Sequence, residues 1–330
     1  MKRVEFSLWL ILGSLLGAGA ALAEEGLAEV QHWLEKTFRA AHTLSYDGTF
    51  VYGHNGKLDA MRIVHSASQN GDRERLVALS GPMREVLRDD SVVTCILPDN
   101  KSVVVGKARP TKQLPPTFAI HVRKLSEHYR FALGGVERVA GRDARRLNIE
   151  PRDDYRYGYH LWIDTDTGLL LRSELLDENG EAVEQFMFTE LRFLDEVPPA
   201  LLEASIAGQE YTWYEPQEQS SDTQQASSDW VVSKLPGGFE LDMHRKGLLS
   251  TSSKPVEHMI YSDGLSSVSV FIEDKSDAVH NLQGSSRMGA VNAYGRVLNG
   301  RHITIMGEVP PGTIQLIGES LRFQGRTETP

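Results

Sequence analysis

Two periodicities of apolar residues follow one another along the chain. Between residues 27 and 42, apolar side chains recur every three or four positions, the spacing of an amphipathic helix with one buried face. From residue 44 the period falls to two: Tyr46, Phe50 and Tyr52 share one side of a strand, and Asn55-Gly56 supplies a hairpin turn. A series of neighbouring strands with short turns follows, which predicts an antiparallel sheet rather than alternating strands and helices.

The segment from Tyr155 to Leu194 carries the clearest strand pattern. It predicts three strands, with turns at Asp166-Thr167-Gly168 and at Asn179-Gly180. Long strands closed by sharp turns favour a wide, curved antiparallel sheet, and a second helix is predicted across it, from Thr117 to Tyr129. The predicted fold class is therefore α+β, with a large N-terminal half-barrel sheet covered by helices and a smaller α+β domain at the C-terminal end.

A change of composition divides the chain. Residues 215–229 contain no Ile, Leu, Val or aromatic side chain, and such a segment buries too little apolar surface to order itself. It is interpreted as a flexible linker between a large domain, residues 24–214, and a small domain, residues 230–322. The small domain alternates apolar residues in strands and opens its last helix at Pro310-Pro311-Gly312. Residues 323–330 are expected to form a disordered tail.

The N-terminal residues predict export. Lys2 and Arg3 precede an apolar run from Phe6 to Ala21, and Ala21-Leu22-Ala23 has the small-x-small pattern of a cleavage site. We expect residues 1–23 to be a signal peptide cut after Ala23. The alternative, an uncleaved anchor, is disfavoured because the run is shorter than the roughly 20 residues of a membrane span.

The net charge and the cysteine content disfavour several classes of function. The formal net charge is −10, which makes the protein a poor candidate for nucleic-acid binding. Its single cysteine, Cys95, excludes an internal disulfide and lies in an apolar run, so a small buried side chain is favoured over a redox role. An acidic partner or a lipid phosphate would need a local basic patch, and a solvated surface of mixed charge remains an equal alternative. The candidate patch consists of Arg142, Arg145, Arg146 and Arg156.

Catalytic and metal-binding patterns are missing from the sequence. It contains no G-x-S-x-G, H-E-x-x-H, P-loop or strand-linked G-x-G-x-x-G motif. His121 and His128 are seven residues apart, about 10 Å along a helix, which is too far for one metal ion. We therefore expect no catalytic residues, no metal and no cofactor, although an unrecognised hydrolase stays open as a disfavoured alternative.

Apolar and aromatic density on the predicted sheet points to binding. Two helices would cover about ten strands only in part, which would leave an apolar groove for an acyl chain or a peptide. An ordinary core is the competing interpretation, and without the strand register the candidate residues cannot be assigned to one face. The candidates are Tyr46, Phe50, Tyr52, Leu161, Trp162, Ile163, Leu169, Leu171, Phe186 and Phe188.

Several short motifs, in order along the chain, resemble one known family. They include SYDGTFVY at residues 45–52, RYGYHLWID at 156–164, LPGGF at 235–239 and YSDG at 261–264. Together these resemble the RseB/MucB family. The resemblance covers the whole chain after the predicted signal peptide, and no catalytic residues carry over from it.

The resemblance implies a function beyond what the residues themselves show. Members of that family are periplasmic negative regulators of the envelope-stress sigma factor. They bind the periplasmic region of a membrane-spanning anti-sigma factor, shield it from site-1 proteolysis and release it when lipids such as lipopolysaccharide accumulate. The family's large domain is similar to lipoprotein carriers, so a periplasmic lipid or lipoprotein carrier is the alternative. Self-association of the chain stays open.

Overall fold

The computed structural model describes residues 8–68, 71–89, 92–107, 122–205, 211–214, 228–248, 255–274 and 282–325, with side chains from residue 24 onward. Helix α1 spans Leu8–Thr43 and contains the helix predicted over residues 27–42. Among the described residues, no helix is long and apolar enough to cross a membrane. Cleavage after Ala23 stays a prediction.

Twelve strands form one large open sheet. They are β1 (Tyr46–His54), β2 (Lys57–Ser66), β3 (Arg73–Ala78), β4 (Glu85–Asp89), β5 (Val92–Leu97), β6 (Ser102–Lys107), β7 (Tyr129–Val139), β8 (Arg142–Pro151), β9 (Gly158–Asp164), β10 (Leu170–Leu176), β11 (Ala182–Phe193) and β12 (Thr212–Tyr214). Their order across the sheet is β12-β6-β5-β4-β3-β2-β1-β11-β10-β9-β8-β7. Two antiparallel meanders, β1–β6 and β7–β11, are thus joined where β1 pairs with β11, and the predicted curved, open antiparallel sheet is confirmed.

Turn chemistry explains where the strands reverse. Asn55 and Gly56 between β1 and β2 have φ values of 51° and 70°, the left-handed pair that a tight hairpin turn requires. Gly180 closes the turn before β11 at φ 77°. Asp177 stabilises that turn, because its carboxylate accepts hydrogen bonds from the backbone N–H groups of Asn179 and Glu181.

The helices pack against one end of the large sheet. Val30 and Leu34 of α1 are buried against Leu147 and Ile163 of the sheet. Helix α2, Val122–Leu125, adds two buried side chains to the same cluster. The helix predicted over residues 117–129 is therefore shorter at its C-terminal end, because Tyr129 already begins β7; its residues 117–121 lie outside the described residues.

The smaller C-terminal unit has two sheets and one helix. One sheet has six strands in the order β14-β15-β16-β19-β18-β17, and the other pairs β13 with β20. The strands are β13 (Trp230–Val232), β14 (Glu240–Leu248), β15 (Pro255–Ser262), β16 (Ser267–Asp274), β17 (Gly284–Met288), β18 (Val291–Leu298), β19 (Arg301–Gly307) and β20 (Leu321–Phe323). Helix α3, Pro311–Ser320, packs Ile314 and Ile317 against Val270 and Ile305, as its sequence predicted. Residues 215–227 of the predicted linker lie outside the described residues.

Candidate functional site

One face of the large sheet, the face on which α1 packs, is called the inner face here. The strand register places an unbroken row of apolar residues across it, from β11 at one end to the edge strand β12 at the other. Successive cross-strand partners in this apolar row are Leu191, Gly48, Ile63, Leu76, Val86, Cys95, Val104 and Tyr214. A row of this kind is a continuous surface, because paired residues on adjacent strands lie within side-chain contact.

Gly48 is the one position in the apolar row without a side chain. A Cβ atom there would lie 2.7 Å from the Phe188 ring and 3.0 Å from the carbonyl oxygen of Glu190. Phe188 therefore fills the space above Gly48, and the apolar surface stays continuous.

The register also assigns the predicted groove residues to faces. Phe50 pairs with Phe188 and Tyr52 with Phe186, and the rings of Phe50, Phe186 and Phe188 contact one another on the inner face. Leu161 reaches the same face through its partner Ser173, which pairs with Phe186. The inner face therefore collects most of the candidates. The members that the register places on it are Tyr46, Phe50, Tyr52, Leu161, Ile163, Phe186 and Phe188, whereas Leu171 lies at the irregularity between Leu170 and Arg172.

Trp162 lies on the opposite, outer face, because adjacent residues of a strand point to opposite sides. Its indole is held between the guanidinium groups of Arg146 and Arg172, at 5.3 and 4.1 Å from the ring centre. The indole N–H donates a hydrogen bond of 2.9 Å to Glu137. Trp162 is thus satisfied by its own neighbours, and its part in a groove stays a prediction.

Within the part of the chain that the structure describes, the inner face is covered at one end and open at the other. Under α1 and α2, Leu147, Ile149 and Ile163 have no solvent exposure. Toward β12, the exposed fraction rises to 43% at Val104 and 57% at Tyr214. Val86, Cys95 and Val104 belong to none of the buried clusters that the described residues form. This open half is a candidate surface for an extended apolar ligand.

A polar row runs beside the apolar row on the inner face, with Tyr46, His65, Glu74 and Arg88 as successive partners. The Tyr46 ring stacks on His65 at 5.1 Å, and His65 Nδ1 donates to the carbonyl oxygen of Leu44 at 2.8 Å. Burial raises the pKa of the Glu74 carboxyl above its ordinary value. The apolar surface therefore has a charged border, which suits a ligand with an apolar body and a polar end.

The four arginines of the predicted basic patch do not share one surface. Arg142 forms an ion pair with the buried Asp164, which lowers the pKa of that carboxyl, and Arg145 donates to the carbonyl oxygen of Gly134. Arg146 stacks on Trp162. The Arg156 side chain has no solvent exposure. A joint role of these residues in partner binding stays a prediction.

An apolar cavity of about 160 Å³ lies on the outer face, beside β12. Trp213 projects from β12 onto this side, opposite to Tyr214 of the apolar row. Sequence reasoning missed the cavity because a three-residue strand gives almost no periodic signal. Its lining residues are Leu87, Thr94, Ile96, Val103, Ala204, Tyr211 and Trp213.

The described part of the chain offers little metal-binding or nucleophilic chemistry. No group of three or more His, Cys, Asp or Glu side chains within it could hold a metal ion. Burial raises the pKa of the Cys95 thiol, which lowers the fraction of reactive thiolate at neutral pH.

The fold defines a protein with a large open sheet and a smaller C-terminal unit, and the open apolar row of the large sheet is its candidate binding surface. Residues 29–206 match the model of the MucB/RseB N-terminal domain, and residues 224–322 match that of the MucB/RseB C-terminal domain. The chain belongs to the MucB/RseB family.

Two relatives and one solved structure illustrate the similarity. The chain is 35% identical to the sigma factor AlgU regulatory protein MucB of Pseudomonas aeruginosa, over 96% of each chain. It is 30% identical to the sigma-E factor regulatory protein RseB of Haemophilus influenzae, over 98% of this chain and 100% of that one. A solved complex of P. aeruginosa MucA and MucB matches with 31% identity and a TM-score of 0.67, covering 90% of this chain and 99% of that one.

Proposed function

We propose that this protein is a periplasmic negative regulator of an envelope-stress sigma factor. It binds the periplasmic region of a membrane-spanning anti-sigma factor, shields that region from site-1 proteolysis, and releases it when lipids such as lipopolysaccharide accumulate. It makes and breaks no covalent bonds.

The observation that carries this proposal is that both parts of the chain match the domain models of a family whose named members are regulatory proteins. Both MucB/RseB domain models match, and the curated relatives regulate sigma factors. In the solved relative, MucB is in complex with MucA. The equivalent partner of this chain is a MucA-like anti-sigma factor.

The open half of the inner face supports a lipid effector. An acyl chain could lie along Leu76, Val86 and Cys95, and a phosphorylated head group could sit by the polar border near Arg88. Burial of apolar surface contributes roughly 25 cal/mol per Å², or about 0.8 kcal/mol per methylene, so a few buried acyl carbons contribute about 2–3 kcal/mol to lipid binding.

Release requires that the lipid prefer a state with lower affinity for the anti-sigma factor. A tenfold loss of affinity needs about 1.4 kcal/mol of coupling free energy, and effective release needs about 2–3 kcal/mol. Such coupling is of the size that a shift between two arrangements of two domains supplies.

The direct test uses the protein without residues 1–23. We expect it to bind a peptide from the periplasmic region of the anti-sigma factor and to protect that peptide from the site-1 protease. Lipopolysaccharide should restore cleavage, while a lipid-free buffer control should not. Unprotected cleavage of the peptide in the presence of saturating protein would contradict the proposal.

A carrier function remains a second candidate, because the open apolar row would also suit an acyl chain in transit. A carrier would move radiolabelled lipoprotein to acceptor membranes in the absence of any anti-sigma factor. Transfer without peptide protection would favour the carrier, and protection without transfer would favour the regulator.

A further inference from the structure

One contact between the C-terminal unit and the large sheet is the tip of a hairpin. Gly289 and Ala290 form the turn between β17 and β18, and Ala290 is completely buried. The tip packs against Tyr157 and Leu175 at the ends of β9 and β10. Asn292, just after the tip, donates a hydrogen bond of 3.0 Å to the Tyr157 hydroxyl.

Glu184 of β11 contacts both the hairpin tip and the inner face. One carboxylate oxygen accepts a hydrogen bond of 3.3 Å from the backbone N–H of Ala290. The other accepts a hydrogen bond of 2.7 Å from the Tyr52 hydroxyl. A Cβ atom on Gly289 would lie 3.2 Å from the same carboxylate, so the carboxylate sits directly against the turn.

Tyr52 belongs to the aromatic part of the inner face. It pairs across the strands with Phe186, whose ring lies 4.9 Å from Phe50. Its ring thus faces the apolar surface while its hydroxyl holds Glu184, and burial with this hydrogen bond raises the pKa of the hydroxyl. Glu308 of the C-terminal unit contributes to the same shift, which places that unit's charge near Tyr52.

A second contact between the units uses neither Glu184 nor Tyr52. The Arg156 guanidinium donates to Asp263 at 2.7 Å and to the carbonyl oxygen of Gly237 at 2.6 Å, and it pairs with Asp153. The Tyr129 hydroxyl also donates to Asp263, at 2.9 Å. Arg156 and Tyr129 thus share Asp263, and within the described residues none of these hydrogen bonds reaches the aromatic part of the inner face.

We infer that Glu184 transmits occupancy of the inner face to the C-terminal unit, with Tyr52 as its sensor and the Arg156–Asp263 contact as the anchor. A lipid whose acyl chain extends from the open half of the inner face to Phe186 turns the Tyr52 ring, and the Tyr52 hydroxyl leaves Glu184. The freed carboxylate then takes up water and loses its contact with Ala290, which loosens the hairpin tip. This inference rests on the proposed function, because it supplies the step between lipid binding and peptide release.

The experiment compares Tyr52→Phe and Glu184→Gln with the matched control Tyr129→Phe. Each substitution removes or weakens a hydrogen bond between a tyrosine hydroxyl and a carboxylate. In Tyr129→Phe the hydrogen bond affected is the one to Asp263 at the anchor, and in the other two variants it is the one between Tyr52 and Glu184. Peptide affinity is measured with and without lipopolysaccharide micelles. We expect a tenfold or larger loss of affinity on adding lipid for the wild type and for Tyr129→Phe, and a loss of twofold or less for Tyr52→Phe and Glu184→Gln. Equal lipid responses in all four proteins would overturn the inference.

A second measurement separates this inference from the proposed function. Hydrogen exchange at the Ala290 amide is followed as lipopolysaccharide is added, with no peptide present. Faster exchange in the wild type but not in Tyr52→Phe supports the link even where the peptide does not bind. Unchanged exchange in the wild type refutes it, whereas failure of the wild type to bind peptide refutes only the proposed function.

Discussion

The two halves of the inner face are built from the same sheet but meet different surroundings. In the covered half, Leu161 and Ile163 are buried beneath α1 and α2. In the open half, Leu76 and Val86 continue the same alternation of residues with no described helix packed on Val86. Alternation along a strand therefore identifies the apolar face, and the described helices decide which part of that face is core and which is a candidate for binding.

The largest expected difference between the halves is in stability. Leu161→Ala should lower the free energy of unfolding by about 2–5 kcal/mol, because it leaves a cavity under α1. Leu76→Ala should cost about 1 kcal/mol or less, since that side chain is only partly buried. Urea unfolding followed by circular dichroism measures both. Similar losses for the two variants would show that the open half is also core.

Lipid binding, in contrast to stability, should depend more on the open half of the inner face than on the covered half. Val86→Glu places a charge in the apolar row and should weaken binding of lipopolysaccharide at least tenfold, about 1.4 kcal/mol. Val77→Glu is the matched control, because Val77 of β3 pairs with Arg62 and Glu85 on the outer face. Titration of a fluorescent lipopolysaccharide checks both variants. Equal weakening by the two would place the ligand elsewhere.

The polar row at the border predicts a pH dependence. The pKa of Glu74 in the folded protein lies above its ordinary 4.5, so the folded state holds this proton more tightly than the unfolded state does. The contribution of the Glu74 carboxyl to the free energy of unfolding is therefore fully present below pH 4.5, and it is lost as the pH rises through the raised pKa. Glu74→Gln should remove that loss, a change on the order of 1 kcal/mol.

The measurement for Glu74 is urea unfolding across this pH range. Asp47 and Asp164, whose pKa values are lowered, act in the opposite sense at lower pH. They are unchanged in Glu74→Gln, so the difference between variant and wild type isolates Glu74. A difference that does not vary with pH would contradict the expectation.

The smallest expected effect is on the reactivity of Cys95. The chain has no other cysteine, so a maleimide labels one position on the apolar row. Because its pKa is raised, labelling should accelerate as the pH rises above the thiol's ordinary range. Lipopolysaccharide should slow labelling several-fold, with the urea-unfolded protein as the reference. Unaltered labelling in the presence of lipid would exclude Cys95 from the lipid's path.

Much of the fold could be predicted because its signals are local. The alternation in β1 and the turns at Asn55-Gly56 and Asn179-Gly180 are each contained in a few residues. Face assignments could not be predicted, because they depend on register between strands distant in sequence. Trp162 shows this most clearly, since it stands between two inner-face residues and lies on the other side.

The candidate site was predictable only in part, for a related reason. Aromatic residues of β1 and β11 are recognisable from alternation, but the open row over β3–β6 consists of ordinary residues such as Val86 and Val104. Nothing in their sequence distinguishes a covered strand from an uncovered one. Contacts between the domains were also invisible, because Glu184 and Ala290 are linked only by the tertiary fold.

The pairing of β1 with β11 also has a consequence for how the chain folds. Tyr46 lies opposite Phe193, so the two meanders cannot join before nearly two hundred residues have been synthesised. Until then β1 is an unprotected edge that another chain could extend. Because such distant pairing makes folding slow, on the order of milliseconds to seconds, the edge of β1 stays open to pairing with another chain during that interval.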